Sequence, residues 1–350
     1  MSSQHAAANG SRHSRAHDNA ARGGIVIEGL TVEFGEVRAL DGLNLEVSAG
    51  EIVALLGPNG AGKTTAIQIL STLLKPDHGR ALVGGYDVVR SPGAVRRQIA
   101  LTGQFAAVDV DLTGRENLEL FARLHHLPMA DSRARAAELI ERFDLCAVAD
   151  RLAKKYSGGT RRRLDLAVSL VSRPQVLFLD EPTTGLDPRS RRELWRVIRE
   201  LAASGTTILL TTQYLEEADE LAERIAVMDH GRIVAEGSGY ALKQDVGGER
   251  LELRLRNLEE LRRARDVLAR TGHRGELDEP NLRLRMTIDN GAELVPEVIS
   301  QLCLNGLTVE DLGICKPTLE DVFLALTGKS AAGTERPLSH EDATTSGAPR

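Results

Sequence analysis

The chain has 350 residues, of which 42% are hydrophobic and 27% are charged, and its formal net charge is −6. This length and composition predict a globular protein with a full hydrophobic core and two domains. A phosphate backbone demands a basic protein surface, so the acidic balance argues against a protein that binds nucleic acid mainly by electrostatics, and no nucleic-acid partner is expected.

The three cysteines are far apart in the sequence and form no C-x-x-C pair. This pattern favours a reducing compartment over a disulfide framework or a zinc site, and buried or chemically neutral thiols are expected. No apolar stretch approaches the ~20 residues that a membrane-spanning helix needs. We therefore expect any membrane role to come through a partner.

The first residues are rich in Ser, Ala, His and Arg and lack large aliphatic side chains, which predicts a disordered tail over residues 1–23. Two strand-like runs follow at residues 30–34 and 43–47, separated by turn residues at Gly35 and at Asp41-Gly42. They predict an antiparallel β layer at the start of the first domain, which we place at residues 24–238.

A glycine-rich segment follows the apolar run at residues 52–56 and fits the pattern G-x-x-x-x-G-K-[ST]. A strand leading into such a loop, with a helix after it, is the setting of a phosphate-binding loop. Lys63 is placed to neutralise the phosphates of a nucleotide, and the Thr64 hydroxyl is placed to hold Mg²⁺. The predicted nucleotide-binding loop consists of Gly57, Pro58, Asn59, Gly60, Ala61, Gly62, Lys63, Thr64 and Thr65.

Apolar residues between Glu116 and about Ala149 recur at helical spacing, which predicts a helical subdomain at about residues 105–155. Strand-like and helix-like runs then alternate from residue 176 to residue 228. This alternation is typical of an α/β fold with a mostly parallel sheet.

The stretch at residues 239–248 is predicted to be a polar linker. The following residues, 249–327, show a βαββαβ pattern with one further helix, which predicts a small α+β domain with a ferredoxin-like arrangement. An apolar stripe on the last helix, which includes Leu319 and Val322, is compatible either with the core of this domain or with a partner contact. Residues 328–350 are predicted to be a second disordered tail.

Two carboxylates, Asp180 and Glu181, directly follow the apolar run at residues 176–179. Ligands gather at the carboxyl ends of strands in α/β sheets, so this position favours a catalytic role over a simple cap of the next helix. We expect Asp180 to hold Mg²⁺ opposite Thr64 and Glu181 to polarise the water that attacks the γ-phosphate.

A second anion-binding helix end is predicted at Ser157-Gly158-Gly159, which precede the amphipathic helix at residues 161–171. An ordinary N-cap would explain Ser157 but would need neither glycine.

Taken together, these motifs over residues 25–236 resemble the nucleotide-binding subunit of an ATP-binding-cassette (ABC) transporter. The resemblance implies that Ser157 belongs to the family's signature motif and that Gln104 contacts Mg²⁺ and senses the membrane partner. It further implies that Phe34 stacks on adenine, although a core position is the alternative for an aromatic residue. Asp187 resembles the aspartate that links the two ATP sites of a dimer.

Three positions depart from the family pattern: Tyr156 and Thr160 flank the signature, and Gln213 stands where a switch histidine is usual. Glutamine can hydrogen-bond a γ-phosphate and a water but cannot carry a positive charge. This replacement is compatible with slow turnover or with an altered nucleotide preference. Glu181 still predicts a working hydrolase, with Lys63 and Gln213 as further catalytic residues.

The closer resemblance, carried by residues 156–167, 213–219 and 317–324, is to the daunorubicin-resistance type of drug-exporter ATPase. It implies a homodimer on the cytoplasmic face of the cell membrane that energises a separate integral-membrane permease, exporting a hydrophobic antibiotic or a lipid-like molecule. Two alternatives stay open: a soluble cassette ATPase acting on DNA or the ribosome, and a nucleotide-binding regulator with little turnover.

Overall fold

The computed structural model describes residues 23–103, 107–246, 249–273, 275–288, 291–315 and 318–331. They fall into two compact units, with the division between Gln244 and Asp245. Most of the two expected tails lies outside the described residues, although the last helix continues to Ala331.

The elements of the first unit, in chain order, are β1 (Ile25–Phe34), β2 (Val37–Val47), β3 (Ile52–Leu56), α1 (Lys63–Leu70), β4 (His78–Val83), β5 (Tyr86–Asp87), α2 (Pro92–Arg96), β6 (Ile99–Thr102), α3 (Gly114–Leu124), α4 (Met129–Arg142), a 3₁₀ turn (Ala153–Lys155), α5 (Gly158–Ser169), β7 (Val176–Asp180), α6 (Pro188–Ala203), β8 (Thr207–Thr212), α7 (Leu215–Leu221), β9 (Arg224–Asp229), β10 (Arg232–Gly237) and most of α8 (Gly239–Val246). The second unit contains β11 (Glu249–Leu255), α9 (Leu258–Arg270), β12 (Gly275–Asp278), β13 (Arg283–Ile288), α10 (Gly291–Leu304), β14 (Val309–Cys315) and α11 (Leu319–Ala331).

A six-stranded sheet, in the order β10-β9-β3-β8-β7-β6, forms the centre of the first unit. The strands from β9 to β6 run parallel to one another, and β10 pairs antiparallel to β9. Every residue of β3, β7 and β8 is buried, as expected for parallel strands that are covered on both faces. Because these strands are parallel, their carboxyl ends lie at one edge of the sheet and bring the following loops together.

The predicted antiparallel layer is present as a second sheet, in the order β2-β1-β4-β5. The Gly35 turn joins β1 to β2 as expected, with Phe34 opposite Val37. The expected turn at Asp41-Gly42 is wrong, because both residues lie within β2, where Gly42 has φ 70 and the pairing register shifts. A glycine at positive φ inside a strand marks a bulge, which a sequence pattern does not distinguish from a turn.

The second unit is a four-stranded antiparallel sheet in the order β12-β13-β11-β14. This order and the βαββαβ succession give the ferredoxin-like arrangement that the sequence predicted. The fold class, an α/β phosphate-loop core with an antiparallel layer, a helical region and a small α+β unit, is confirmed. On α11, Leu319 and Val322 are only 4% and 1% exposed, so the chain itself covers these two stripe positions.

Residues 239–246, expected to belong to a polar linker, form the helix α8 instead. The Ser238 hydroxyl accepts a hydrogen bond from Ala241 N (3.1 Å), Leu242 is 2% exposed, and Lys243 pairs with Asp219 (2.6 Å). A capping hydroxyl, a buried leucine and an ion pair thus hold a short helix in a sequence whose glycines indicate a linker.

Two of the cysteines, Cys146 and Cys303, are free and exposed, so burial does not apply to these two thiols. Within the described ranges, no helix combines the length and apolarity that crossing a bilayer requires.

Candidate nucleotide-binding site

The loop at residues 57–65 connects β3 to α1 at the carboxyl edge of the parallel sheet. A side chain on Gly57 would place its Cβ 2.3 Å from Met228 O, and one on Gly62 would place it 2.4 Å from Ala39 O. Gly62 also has φ 101, a backbone conformation that favours glycine. These two glycines therefore permit a tight loop just before α1, and the N-terminus of a helix is a place that favours an anion.

The Lys63 ammonium lies inside this loop and donates hydrogen bonds to Gly57 O (2.7 Å) and Pro58 O (2.9 Å). Only 5% of the residue is exposed. Burial lowers the pKa of Lys63, while the negative charges of Glu181 and Asp180 oppose this shift. A buried cation held at the base of a phosphate-binding loop is suited to an anionic ligand.

Two hydroxyls and a carboxylate meet next to the loop. The Thr64 hydroxyl donates to Asp180 Oδ1 at 3.3 Å, and the Thr211 hydroxyl donates to the same oxygen at 2.5 Å. Asp180 is 5% exposed and ends β7, the neighbour of β8. A hydroxyl and a carboxylate are hard oxygen ligands that fit Mg²⁺, which usually takes few ligands from the protein and the remainder from water and phosphate.

Glu181 follows Asp180 and adopts the left-handed backbone conformation, with φ 48. Its N–H donates to Thr211 O (3.2 Å) and Thr211 Oγ1 (3.1 Å), and its Oε2 accepts a hydrogen bond from the Thr184 hydroxyl (3.2 Å). A non-glycine residue at positive φ costs about 1–3 kcal/mol and persists only where its surroundings fix it. The structure thus holds this carboxylate in a specific direction beside the loop.

A cavity of about 480 Å³ opens over the loop. Phe34 lines it and is 52% exposed, so the alternative that Phe34 is a core aromatic is wrong. The cavity is lined by Phe34, Val37, Arg38, Ala39, Asn59, Gly60, Gly62, Lys63, Thr64, Thr65, Glu181 and His230. An exposed aromatic ring at one end and a phosphate-binding loop at the other match the two ends of a nucleotide.

Arg38 and His230 line this cavity, although the sequence motifs did not predict them as site residues. Arg38 lies opposite Glu33 across the β1–β2 hairpin and donates to that residue (2.9 Å) and to Asp41 (3.0 Å). His230 occupies the β9–β10 turn, whose Gly231 N donates to Ala61 O (3.0 Å). The hairpin pairing around Gly35 is a signal that could have placed Arg38 near Phe34, whereas His230 reaches the loop only through the tertiary fold.

Gln213 directly follows β8, and Thr212 O accepts a hydrogen bond from Gly57 N (3.3 Å). The position expected to be a switch residue is therefore one residue from a direct contact with the phosphate-binding loop. Gln104 lies outside the described residues.

The predicted signature residues form a second cluster. Ser157 caps α5 by accepting a hydrogen bond from Thr160 N (3.2 Å), and a Cβ on Gly159 would lie 2.3 Å from Ser190 Oγ. The Ser190 hydroxyl donates to Asp187 Oδ2 (2.7 Å), and Asp187 caps α6. The described residues that line the cavity over the phosphate-binding loop include none of this cluster.

Gly158, between these two contacts, is exposed, and no heavy atom lies within 4 Å of a Cβ built on it. The start of α5 is therefore accessible at Gly158, where an anionic group from outside the cavity of the same chain can approach the helix N-terminus.

Fold and site together define a phosphate-loop nucleotide-binding protein: a glycine-rich loop, a buried lysine and a carboxylate pair meet at the carboxyl edge of a parallel sheet. Comparisons with known proteins make this class more specific. The family described as ABC transporter matches residues 40–184. A solved structure of the ATP-binding cassette MJ0796, a dimer in a post-hydrolysis state bound to ADP and Pi, is 26% identical with a TM-score of 0.56, and the match covers 61% of this chain and 98% of that chain.

Among the similar sequences is the daunorubicin resistance ATP-binding protein DrrA2 of Streptomyces coeruleorubidus, with 53% identity over 88% of this chain and 96% of the relative. The doxorubicin resistance ATP-binding protein DrrA of Mycobacterium tuberculosis is 45% identical over 87% of this chain and 93% of the relative. A Nod factor export ATP-binding protein of Ralstonia nicotianae is 38% identical over 87% of this chain and 93% of the relative. The chain belongs to the ABC transporter ATP-binding proteins of the daunorubicin/doxorubicin resistance family, and it is an ATPase subunit.

One buried carboxyl beside the site was not predicted. Glu217 on α7 is fully buried, and its Oε1 accepts a hydrogen bond from Trp195 Nε1 (3.1 Å). Burial raises the pKa of Glu217 above its ordinary 4.5, and the Thr212 and Thr183 hydroxyls oppose this rise. The titratable carboxyl of Glu217 thus lies against Thr212, the residue that precedes Gln213.

We expect Glu217→Gln to remove a pH dependence of stability. Because the folded-state pKa is raised, the folded protein binds more protons than the unfolded chain above about pH 4.5, so wild-type stability falls as pH rises through the window between the two pKa values. Glutamine keeps an oxygen for Trp195 and never ionises. When melting temperatures are measured from pH 5 to 8, the melting temperature of Glu217→Gln should rise relative to that of the wild type as pH increases.

The exposed neighbour supplies the control for this measurement. Glu216 lies on the same helix with a side chain that is 76% exposed, so Glu216→Gln should change the pH dependence of stability less than Glu217→Gln does. Parallel wild-type and Glu217→Gln curves would mean that burial does not shift this carboxyl.

Proposed function

We propose that this ATPase subunit energises export of a hydrophobic drug, antibiotic or lipid-like molecule through a separate integral-membrane permease, working as a homodimer on the cytoplasmic face of the membrane. The drug-resistance and export names of its relatives support the cargo class. The observation that carries the dimer is the separation of the signature cluster from the cavity over the phosphate-binding loop. In this arrangement each ATP lies between the loop of one subunit and the signature cluster of the other.

The residue roles in the proposed reaction follow from position. Phe34 stacks on adenine, the loop at residues 57–65 binds the phosphates, and Lys63 neutralises their charge. Thr64, Asp180 and Gln104 are the residues proposed to hold Mg²⁺, which would supply positive charge to polarise the phosphates. Glu181 takes a proton from the attacking water as general base, and Gln213 orients the γ-phosphate and the water.

The second subunit completes the proposed site with its own residues. Ser157, Gly158 and Gly159 direct the N-terminus of α5 at the phosphates, and Asp187 links the two sites. Asp187 already accepts hydrogen bonds from Ser190 N, Arg189 N and the Ser190 hydroxyl, and the bonds from Ser190 contribute most to lowering its pKa. The carboxylate therefore stays ionised and fixed beside the signature cluster.

We further propose the domain limits given by the sequence: a nucleotide-binding domain at residues 24–238 with a helical subdomain at about 105–155, and a regulatory or assembly domain at residues 249–327. The division of the chain between Gln244 and Asp245 supports two domains, while α8 replaces part of the linker.

The test of the proposed function is capture of the tagged chain from membranes of the native cell. We expect co-purification of a protein with several apolar spans of membrane length. Inverted vesicles containing both proteins should then take up daunorubicin in an ATP-dependent way, and vesicles with Glu181→Gln should not. Co-purification of nucleic acid or ribosomes in place of a membrane protein would favour a soluble cassette ATPase. Absence of phosphate release from the captured complex would favour a regulator with little turnover.

A further inference from the structure

A buried ion pair on α5 lies between the signature cluster and the two carboxylates at the end of β7. Arg162 and Asp165 are one turn apart, with side chains 13% and 3% exposed, and Arg162 Nη1 lies 3.4 Å from Asp165 Oδ2. Burial lowers the pKa of Arg162 and raises the pKa of Asp165, and each charge opposes the shift of the other. Burial of a charge pair costs desolvation free energy, which further hydrogen bonds to the two groups offset.

The Arg162 guanidinium donates to backbone carbonyls of two separate loops. Its Nε donates to Pro182 O (2.8 Å), its Nη2 donates to Glu181 O (3.4 Å), and its Nη1 donates to Gly103 O (2.8 Å). Gly103 directly follows β6, and β6 is the neighbour of β7. One side chain therefore fixes the residues after β7 against the end of the adjacent strand.

Both backbone polar groups of Glu181 are hydrogen-bonded. Thr211 binds its N–H from β8, Arg162 binds its C=O from α5, and its φ of 48 is one that residues with side chains rarely adopt. The backbone conformation of a residue determines where its side chain points. Loss of the hydrogen bond from Arg162 to Glu181 O would therefore change the direction of the Glu181 carboxylate, which lines the cavity.

We propose that Arg162 is a positioning residue for ATP hydrolysis, whose planar guanidinium holds the Glu181-Pro182 backbone so that the Glu181 carboxylate faces the phosphate-binding loop. The inference rests on the proposed role of Glu181. Asp165 anchors the guanidinium by charge, and its Oδ1 accepts a hydrogen bond from Ala107 N (2.7 Å). A lysine has no fork of donors to reach three carbonyls in two loops.

The test is Arg162→Lys, with Arg163→Lys as a matched control. Arg163 is the next residue of α5, its side chain is 16% exposed, and its guanidinium also donates to carbonyl oxygens, those of Phe143 (3.2 Å) and Asp144 (3.5 Å) after α4. We expect Arg162→Lys to lower kcat about 10- to 100-fold, because small misplacement of a catalytic group is costly. The Kd for ATP should stay within about threefold, and Arg163→Lys should change both values little.

A second comparison separates positioning from a general structural effect. In the Glu181→Gln background the carboxylate is already absent, so adding Arg162→Lys should lower the residual rate no further than about twofold. A merely structural role would lower the residual rate of the double variant by the same factor as in the wild type. If Arg162→Lys is insoluble, Asp165→Asn takes its place and should give the same selective loss of kcat.

The outcomes distinguish this inference from the proposed function. Equal kcat values for Arg162→Lys and Arg163→Lys, with hydrolysis still dependent on Glu181, would overturn the positioning role alone. Undiminished hydrolysis by Glu181→Gln itself would instead overturn the assignment of the general base on which the inference rests.

Discussion

Replacing Glu181 by Gln should slow ATP hydrolysis about 10²- to 10⁴-fold, the usual contribution of a general base, while ATP binding is nearly unchanged. The substitution keeps the shape of the side chain and an oxygen to accept from the Thr184 hydroxyl, which lies 3.2 Å from Glu181 Oε2. It removes only the ability to take a proton from water. Because ATP then persists in the site, we also expect the variant to accumulate as an ATP-bound dimer, which light scattering measures.

The control for this variant is a glutamate outside the cavity. Glu216 is exposed on α7, and Glu216→Gln should hydrolyse ATP at the wild-type rate. Near-normal phosphate release by Glu181→Gln would sink the assignment of Glu181 as the base.

The second large effect is expected at the signature cluster. Gly158 is the first residue of α5, and a Cβ built there meets no heavy atom within 4 Å. Gly158→Asp should therefore fold normally, yet it places a negative charge at the helix N-terminus where the phosphates of the partner's ATP are proposed to bind. We expect hydrolysis to fall about 10²- to 10³-fold, as when a transition-state anion loses a stabilising donor.

ATP binding by the Gly158→Asp monomer should be unaffected, since its phosphate-binding loop is unchanged. Gly93→Asp is the matched control, because Gly93 also lies in the first turn of a helix, and its built Cβ meets only the end of Arg97 at 3.8 Å. Equal hydrolysis by the two variants would mean that the N-terminus of α5 does not face a nucleotide.

The part of the site that could be predicted from sequence is the part encoded by short motifs on adjacent parallel strands. The loop at residues 57–65 and the pair Asp180-Glu181 each follow a buried apolar strand, and parallel strands bring their carboxyl ends to one edge. The contact of Thr64 with Asp180, across 116 residues of sequence, follows from that geometry alone.

The remainder depends on tertiary packing that no short pattern encodes. His230 reaches the cavity because the β9–β10 turn packs on the phosphate-binding loop, and Arg162 reaches three carbonyls because α5 crosses the ends of β6 and β7. The helix α8 was missed because its glycines indicate a linker, whereas a buried Leu242 and an ion pair of Lys243 stabilise it. In each of these cases the deciding contact joins residues that are distant in the sequence.

The proposed shared site also predicts what a single chain should be able to do. The cavity over the phosphate-binding loop holds Lys63, Thr64 and Glu181, and the signature cluster is elsewhere on the same chain. A monomer should therefore bind ATP but hydrolyse it poorly, and the specific activity should rise with protein concentration as dimers form.

The most direct test of an ATP site shared between subunits mixes two inactive variants. Lys63→Ala disables the phosphate-binding loop and Gly158→Asp disables the signature cluster, so a mixed dimer contains one doubly damaged site and one intact site. Equal amounts should recover roughly a quarter of wild-type ATP hydrolysis, because half of randomly assorted dimers are mixed and each has one of two sites intact. Activity no greater than the sum of the two separate variants would contradict a site shared between subunits.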